Sequence, residues 1–174
     1  MKNRQKRLIY FLVFVIVGLL FFTLGYFLRY PQTNQPYPVV EVIDGDTIRV
    51  KIGRKIEVVR LIGINTPEVE NIYRHQECFG PEASKETKKL LTGKKVFLLP
   101  DPQVANRDKY KRLLRYVFLE NGEFINAKLV KEGYAFNYFY QPFQFINYFG
   151  YLEKKAREER IGLWGSQCDY YERK

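Results

Sequence analysis

The 174-residue sequence is poor in the side chains that most often build metal clusters and nucleophilic sites. It has one histidine, His75, and two cysteines, Cys78 and Cys168. A single histidine nearly excludes chemistry built on a His–Asp pair or a His–metal cluster within one chain. We expect His75, which lies in a polar stretch, to be a solvated side chain.

The first 29 residues contain five cations and no acidic residue, so they supply half of the net charge of +10. The other half belongs to the remainder of the chain, and aromatic residues make up 17% of the whole sequence. This excess of positive charge fits an anionic partner, either nucleic acid or a membrane surface. A basic surface that only keeps a protein soluble has the same composition.

Leu8–Leu28 is a run of 21 uncharged, mainly apolar residues. As a helix it is long enough to cross the hydrocarbon core of a bilayer, and we predict a single-pass membrane anchor. More cations precede the run than follow it, which favours a cytoplasmic N-terminus and an extracytoplasmic domain. The alternative is a cleaved signal peptide and a secreted protein. We favour the anchor, because no alanine precedes Ala83 to form an A-x-A-like cleavage site.

The predicted organisation is a cytoplasmic basic tail (1–7), a transmembrane signal-anchor (8–28), a polar linker (29–37), a folded domain (38–165) and a C-terminal tail (166–174). The five predicted strands are Pro38–Ile43, Thr47–Ile52, Lys55–Ile64, Lys95–Leu99 and Arg112–Leu119. The three predicted helices run from Pro81 to Gly93, from Phe124 to Glu132 and from about Gln144 to Arg160. This order predicts an α+β fold built on a small closed barrel. The five-stranded OB barrel, whose strands and loops commonly bind nucleic acid, is the obvious candidate.

The stretch from Val59 to Glu68 is the first candidate for chemistry. It is interpreted as a buried strand that carries Arg60 and breaks at Thr66-Pro67, because proline cannot extend a sheet ladder. An arginine in the strand and Glu68 beyond the break suit a phosphate ester, with a cation for its oxygens and a carboxylate to position water. The alternative is a surface arginine on a strand that ends in a proline turn.

Asp44-Gly45-Asp46 separates the first two predicted strands. It is a strong hairpin signal, and the aspartates can simply cap their own turn. The functional alternative is a hard-cation site in which Asp46 is joined by the Asn65 side chain or the Thr66 carbonyl.

The basic loop, residues 107–112, is either a solvated charge run or a phosphate grip. In the second interpretation Lys109 and Lys111 act as point charges, Tyr110 as a hydroxyl donor and Arg112 as a bidentate fork. Residues 134–145 are dense in aromatics. We expect most of them in the core, although one exposed ring would suit base stacking.

Six ordered blocks over about residues 38–165 resemble the staphylococcal nuclease-like (thermonuclease) family. They are Val42–Thr47, Arg60–Glu68, Phe79–Ser84, Asp108–Arg112, Leu129–Gly133 and Gly162–Trp164. The resemblance implies an OB-fold, Ca²⁺-dependent phosphodiesterase that cleaves DNA and RNA to 3′-phosphorylated products.

The resemblance also implies roles for individual residues. Those implied for catalysis are Arg60 and Arg112, which bind phosphate, and Glu68, which orients or activates water. Those implied for calcium binding are Asp46, the Thr66 carbonyl and, in place of the aspartate of the best-known members, Asn65. Those implied for substrate binding are Lys109 and Tyr110 at a terminal phosphate, and Tyr138 or Phe139 as the stacking ring.

Two departures from the family pattern have consequences. Asn65 removes one negative charge from the cation site, so we expect weaker Ca²⁺ binding or a preference for another divalent cation. Lys111 stands where the family often has glycine, which implies a stiffer turn.

An oxidising compartment would favour a Cys78–Cys168 bridge over two independent thiols. We expect a monomer with no protein partner. The competing function is a membrane-tethered nucleic-acid-binding module without catalysis, and the presence of Arg60, Glu68 and Arg112 argues for the enzyme.

Overall fold

The structure is a computed structural model that describes residues 12–18, 35–70 and 75–168. The chain divides into two compact units, residues 1–33 and residues 34–174. In the first unit, residues 12–18 are helical and exposed. Across the described part of the chain, no helix is both long enough and apolar enough to cross a membrane. Most of the predicted anchor, Leu8–Leu28, lies outside the described residues, so the anchor stays a prediction.

Five strands of the second unit form a closed barrel: β1 (Tyr37–Val42), β2 (Thr47–Ile52), β3 (Lys55–Leu61), β5 (Lys95–Leu99) and β6 (Leu113–Leu119). Their order around the barrel is β1-β2-β3-β6-β5. Neighbours pair antiparallel except β3 and β6, which run parallel, and β1 closes the barrel by pairing with β5. The predicted five-stranded OB-like barrel is therefore confirmed.

Alternating burial explains why these segments form a barrel. Ile48 and Val50 of β2 and Val59 of β3 are completely buried, whereas the neighbouring Lys51 is exposed. The period of two matches side chains that point by turns into the barrel and out of it. The β1–β2 hairpin turns at Asp44-Gly45-Asp46 as predicted, and the Ile43 N–H donates to the Thr47 carbonyl at 2.9 Å.

The third strand is shorter than predicted. β3 ends at Leu61 and does not run to Ile64, because Gly63 takes a left-handed φ of +73° that turns the chain out of the sheet. Two residues, β4 (Ile64–Asn65), then pair with β7 (Phe136–Asn137) in a separate two-stranded sheet. The strand therefore breaks before Thr66-Pro67, and the sequence analysis missed both short strands.

The three predicted helices are present, with ends one or two residues different. They are α1 (Gly80–Leu91), α2 (Ile125–Lys131) and α3 (Ile146–Glu158), and a single 3-10 turn follows at Gly162–Trp164. Phe149, Leu152 and Ala156 of α3 are buried as their spacing predicts. Trp164 is 1% exposed and packs with Leu163 and Ala156 in a second, smaller core cluster.

Cys78 and Cys168 form a disulfide, as the sequence analysis favoured. The bridge joins residues 90 positions apart, immediately before α1 and after the 3-10 turn. In the chain-entropy model, closing a loop of this length stabilises the fold by roughly 4 to 5 kcal/mol. The bridge therefore ties the end of the described chain to the start of α1.

The backbone after α2 packs directly against the backbone at the start of the 3-10 turn. Gly133 and Gly162 allow this close approach because neither has a side chain. A Cβ on Gly133, at φ +69°, would lie 2.2 Å from the Ile161 carbonyl oxygen. We predict that Gly133→Ala lowers the free energy of unfolding by about 3 kcal/mol or more, from strain and overpacking together. Gly122, at φ +85° with no atom within 4 Å of a new Cβ, is the control. Gly122→Ala should cost only about 1 kcal/mol. Equal losses in urea denaturation would contradict this prediction.

Candidate active site

A cavity of about 1050 Å³ opens beside the end of β3 and the start of β6. Nine of the residues for which the sequence predicts a role line it: Asp46, Arg60, Asn65, Thr66, Glu68, Lys109, Tyr110, Arg112 and Tyr138. Lys111 and Phe139, for which roles were also predicted, lie outside the lining. The single parallel strand pair explains part of this convergence. Because Arg60 on β3 lies in register with Leu114 on β6, Arg112 is brought to the same side of the barrel.

Asp46 is the buried centre of the site, with only 6% of the residue exposed. Its Oδ2 accepts hydrogen bonds from the Thr66 N–H at 2.9 Å and the Thr66 hydroxyl at 3.2 Å. Its Oδ1 accepts from the Thr47 hydroxyl at 3.0 Å. Gly45 permits this approach, because a Cβ there would lie 2.6 Å from Thr66 Oγ1. The β1–β2 turn and the segment after β4 are thus held together through one carboxylate.

Arg60 forms an ion pair with the Asp46 carboxylate. Its Nη1 lies 2.9 Å from Asp46 Oδ2, and its Nη2 donates to Asn65 Oδ1 at 2.9 Å. Only 15% of the Arg60 side chain and 9% of the Asp46 side chain are exposed, so each charge needs the other. The Arg60 guanidinium therefore binds Asp46 Oδ2 and Asn65 Oδ1, which belong to two of the residues that the sequence predicts as cation ligands.

The oxygens in this part of the cavity are of the kind that a hard divalent cation prefers. Asp44, which the sequence analysis weighed only as part of the turn, also lines the cavity, and its Oδ1 accepts from the Asp46 N–H at 3.0 Å. Burial, and then the negative charge of Asp46, raise the pKa of Asp44 to about 6. In the described chain no three His, Cys, Asp or Glu side chains cluster for a metal. A cation here would therefore depend on two carboxylates together with the Asn65 amide and the Thr66 carbonyl.

Asp108 organises the basic loop. Its Oδ2 lies 2.6 Å from Arg112 Nε, and its Oδ1 accepts from the backbone N–H groups of Tyr110 and Arg112, both at 2.9 Å. Burial acts to raise the pKa of Asp108, but the hydrogen bonds and charge of Arg112 and the Tyr110 N–H together outweigh it, so the pKa is lowered. Lys111 takes a left-handed φ of +66°, a conformation that glycine adopts without strain.

Arg107 also lines the cavity, although the sequence analysis gave it no separate role. Its Nη1 lies 2.8 Å from Glu57 Oε2 on β3 and donates to the Lys111 carbonyl at 2.7 Å. These contacts fasten the basic loop to the barrel. The only signal for them in the sequence was the charge of the residue.

Tyr138 lines the cavity. Its N–H donates to the Gly63 carbonyl at 2.8 Å, which places it directly after the β4–β7 sheet. Phe139 and Tyr140 are more exposed, at 58% and 78%, and lie outside the cavity lining. Of the two candidates for the stacking ring, Tyr138 is therefore in position.

Glu68, directly after Pro67, also lines the cavity. Its N–H donates to Glu77 Oε2 at 2.9 Å, and its carbonyl accepts from the Glu77 N–H at 2.9 Å. Glu77 therefore satisfies both the N–H and the carbonyl group of Glu68.

Residues 58–166 match the protein-family model for staphylococcal nuclease homologues. The chain belongs to the staphylococcal nuclease family. A thermonuclease of Staphylococcus hyicus is 39% identical over 134 residues, which cover 76% of this chain and 78% of that protein. A thermonuclease of Staphylococcus intermedius is 39% identical over 75% of this chain and 77% of its own length. Endonuclease YncB of Bacillus subtilis (strain 168) is 36% identical over 70% of this chain and 58% of its own length. Membership of this nuclease family makes the chain a hydrolase of phosphodiester bonds.

The buried pair of Asp46 and Arg60 gives a prediction for the nuclease fold. Asp46→Asn leaves the Arg60 charge without its ionic partner, and we expect the free energy of unfolding to fall by about 3 kcal/mol. Glu41→Gln, which breaks the exposed Arg49–Glu41 pair, is the control and should cost less than about 1 kcal/mol. Both values can be measured by urea denaturation. A loss in Asp46→Asn no larger than that of the control would contradict the prediction.

Proposed function

We propose that the protein is a Ca²⁺-dependent nuclease that hydrolyses phosphodiester bonds of DNA, RNA or both and leaves 3′-phosphorylated products. One observation carries this proposal: Arg60, Arg112 and Glu68 line the same cavity as the oxygen cluster around Asp46. Two arginines and a glutamate beside a cluster of oxygen ligands suit the hydrolysis of a phosphodiester, because negative charge develops on the phosphate oxygens in the transition state.

Arg60 and Arg112 bind the scissile phosphate and stabilise the charge that develops on it. Asp108 fixes the Arg112 side chain by accepting a hydrogen bond from its Nε. Both Nη groups can then make a bidentate contact with phosphate oxygens. Arg60 is oriented by Asp46 and Asn65. Glu68 orients or activates the attacking water and takes up its proton.

The residues that would hold the cation are Asp46, Asn65 and the Thr66 carbonyl, with Asp44 beside them. Ca²⁺ supplies further neutralisation of a phosphate oxygen when bound. Because Asn65 brings an amide where a carboxylate would bring a charge, binding is weaker than in a site with an additional aspartate, or another divalent cation is preferred.

The basic loop and one aromatic ring bind the rest of the substrate. Lys109 and Tyr110 hold a terminal phosphate, and Tyr138 stacks on a base. Tyr110 is 66% exposed and Tyr138 is 37% exposed, so both rings are accessible to a nucleotide.

The nuclease domain acts outside the cytoplasm as a monomer, held at the membrane by the predicted anchor at Leu8–Leu28 or secreted if that segment is cleaved. The basic residues before the apolar run support this orientation. The Cys78–Cys168 disulfide supports an oxidising compartment.

The proposed chemistry predicts that Glu68→Gln lowers kcat by at least about 100-fold, because an amide cannot accept the proton of the attacking water. Glu120→Gln, at an exposed glutamate outside the cavity lining, is the control and should leave kcat unchanged. Rates are measured on the full-length chain with Ca²⁺ and a single-stranded DNA oligonucleotide. Near-native turnover in Glu68→Gln would refute the assigned role. Oligonucleotide binding without cleavage by the unaltered chain would favour the competing function, a membrane-tethered binding module.

The role proposed for Asn65 predicts that Asn65→Asp tightens Ca²⁺ binding, with a dissociation constant about tenfold lower. The control is Asn106→Asp, which adds the same charge beside an arginine, Arg115, but lies outside the cavity lining. Calorimetric titration of both variants with Ca²⁺ distinguishes a ligand from a general charge effect. Equal affinity in the two variants would show that Asn65 is not a ligand.

A further inference from the structure

Glu77 makes a reciprocal pair of hydrogen bonds with Glu68 across the intervening segment. The Glu77 carboxylate accepts from the Glu68 N–H, and the Glu77 N–H donates to the Glu68 carbonyl, both at 2.9 Å. Glu77 is exposed and does not line the cavity. Both of its hydrogen bonds are made to the backbone of the proposed catalytic residue.

Gly80, the first residue of α1, packs against the same peptide group. A Cβ at Gly80 would lie 2.2 Å from the Glu68 carbonyl oxygen and 3.2 Å from that of Pro67. The Gly80 N–H in turn donates to the Glu77 carbonyl at 3.1 Å. The start of α1 thus supports both partners of the pair.

The disulfide anchors this arrangement to the core. Cys78 directly follows Glu77 and is bonded to Cys168, which is 4% exposed. The Cys168 N–H donates to the Gly165 carbonyl at 3.3 Å, next to the buried Trp164. Glu77 is therefore one residue from a covalent link to the buried Cys168, four residues beyond Trp164 of the smaller core cluster.

We propose that Glu77 is a positioning residue for Glu68, and that the Cys78–Cys168 bridge fixes Glu77 in place. The inference rests on the proposed function, since it assumes that Glu68 acts on the attacking water. Glu68 sits on a segment without regular secondary structure after β4. A displacement of about 1 Å at such a group is enough to cost up to 100-fold in rate.

The test compares Glu77→Leu, which removes the acceptor oxygens at similar volume, with Glu77→Gln, which keeps one. We expect Glu77→Leu to lower kcat about five- to tenfold with KM within twofold of the native value, and Glu77→Gln to restore kcat. Glu120→Leu, at the exposed control position, should change neither constant. Measurements use the full chain with saturating Ca²⁺ and a single-stranded DNA oligonucleotide. Amide hydrogen exchange at Glu68 gives a readout that does not depend on activity, and it should be faster in Glu77→Leu.

The same change in a Glu68→Gln background separates positioning from general stability. We expect Glu77→Leu to have no further effect on kcat there, because the group that it positions is already inactive. A native kcat for Glu77→Leu, or a full additional loss in the Glu68→Gln background, would overturn the inference alone. Native activity in Glu68→Gln itself would overturn the proposed function and this inference with it.

Reduction of the bridge tests the second half of the proposal. A dithiol reductant gives one hydrogen to each cysteine sulfur and becomes a cyclic disulfide. We expect kcat to fall at least threefold in the native chain and much less in Glu77→Leu, at a temperature where circular dichroism shows both to be folded. An unchanged kcat in the reduced, folded native chain would overturn the anchoring role.

Discussion

The site depends on one buried carboxylate. Asp46 binds Thr47, Thr66 and Arg60, and through them it joins the β1–β2 turn, the end of β3 and the segment that leads to Glu68. A charge buried this deeply is stable only if its hydrogen bonds and its ionic partner are all in place. The same contacts that stabilise Asp46 therefore orient the proposed phosphate-binding arginine and fix the start of the catalytic segment.

The barrel supplies the second constraint. A parallel β3–β6 pair within an otherwise antiparallel barrel brings the end of one strand beside the start of the other. Arg60 and the basic loop that carries Arg112 meet for this reason, although 52 positions separate the two arginines. Asp108 and the Arg107–Glu57 pair then fix the loop, three of whose cations, Arg107, Lys109 and Arg112, line the cavity.

Much of the fold was predictable from the sequence. The β-branched runs and the Asp-Gly turn predicted the first two strands, and the buried face of α3 followed from the spacing of Phe149, Leu152 and Ala156. The break at Gly63 was missed because the apolar run continues through Ile64, and β4 and β7 are two residues each, too short for any pattern. The bonds of Arg107 to Glu57 and of Glu77 to Glu68 depend on how distant segments pack, which local sequence does not encode.

The central claim is that this cavity cleaves a phosphodiester with the help of a hard cation. Its most direct test is single-turnover cleavage of a labelled DNA oligonucleotide by the full-length chain, with Ca²⁺ or with excess EDTA, followed by analysis of the product ends. The account predicts cleavage only with Ca²⁺ and fragments that carry a 3′-phosphate. Undiminished cleavage in EDTA, or fragments that end in a 3′-hydroxyl, would contradict it.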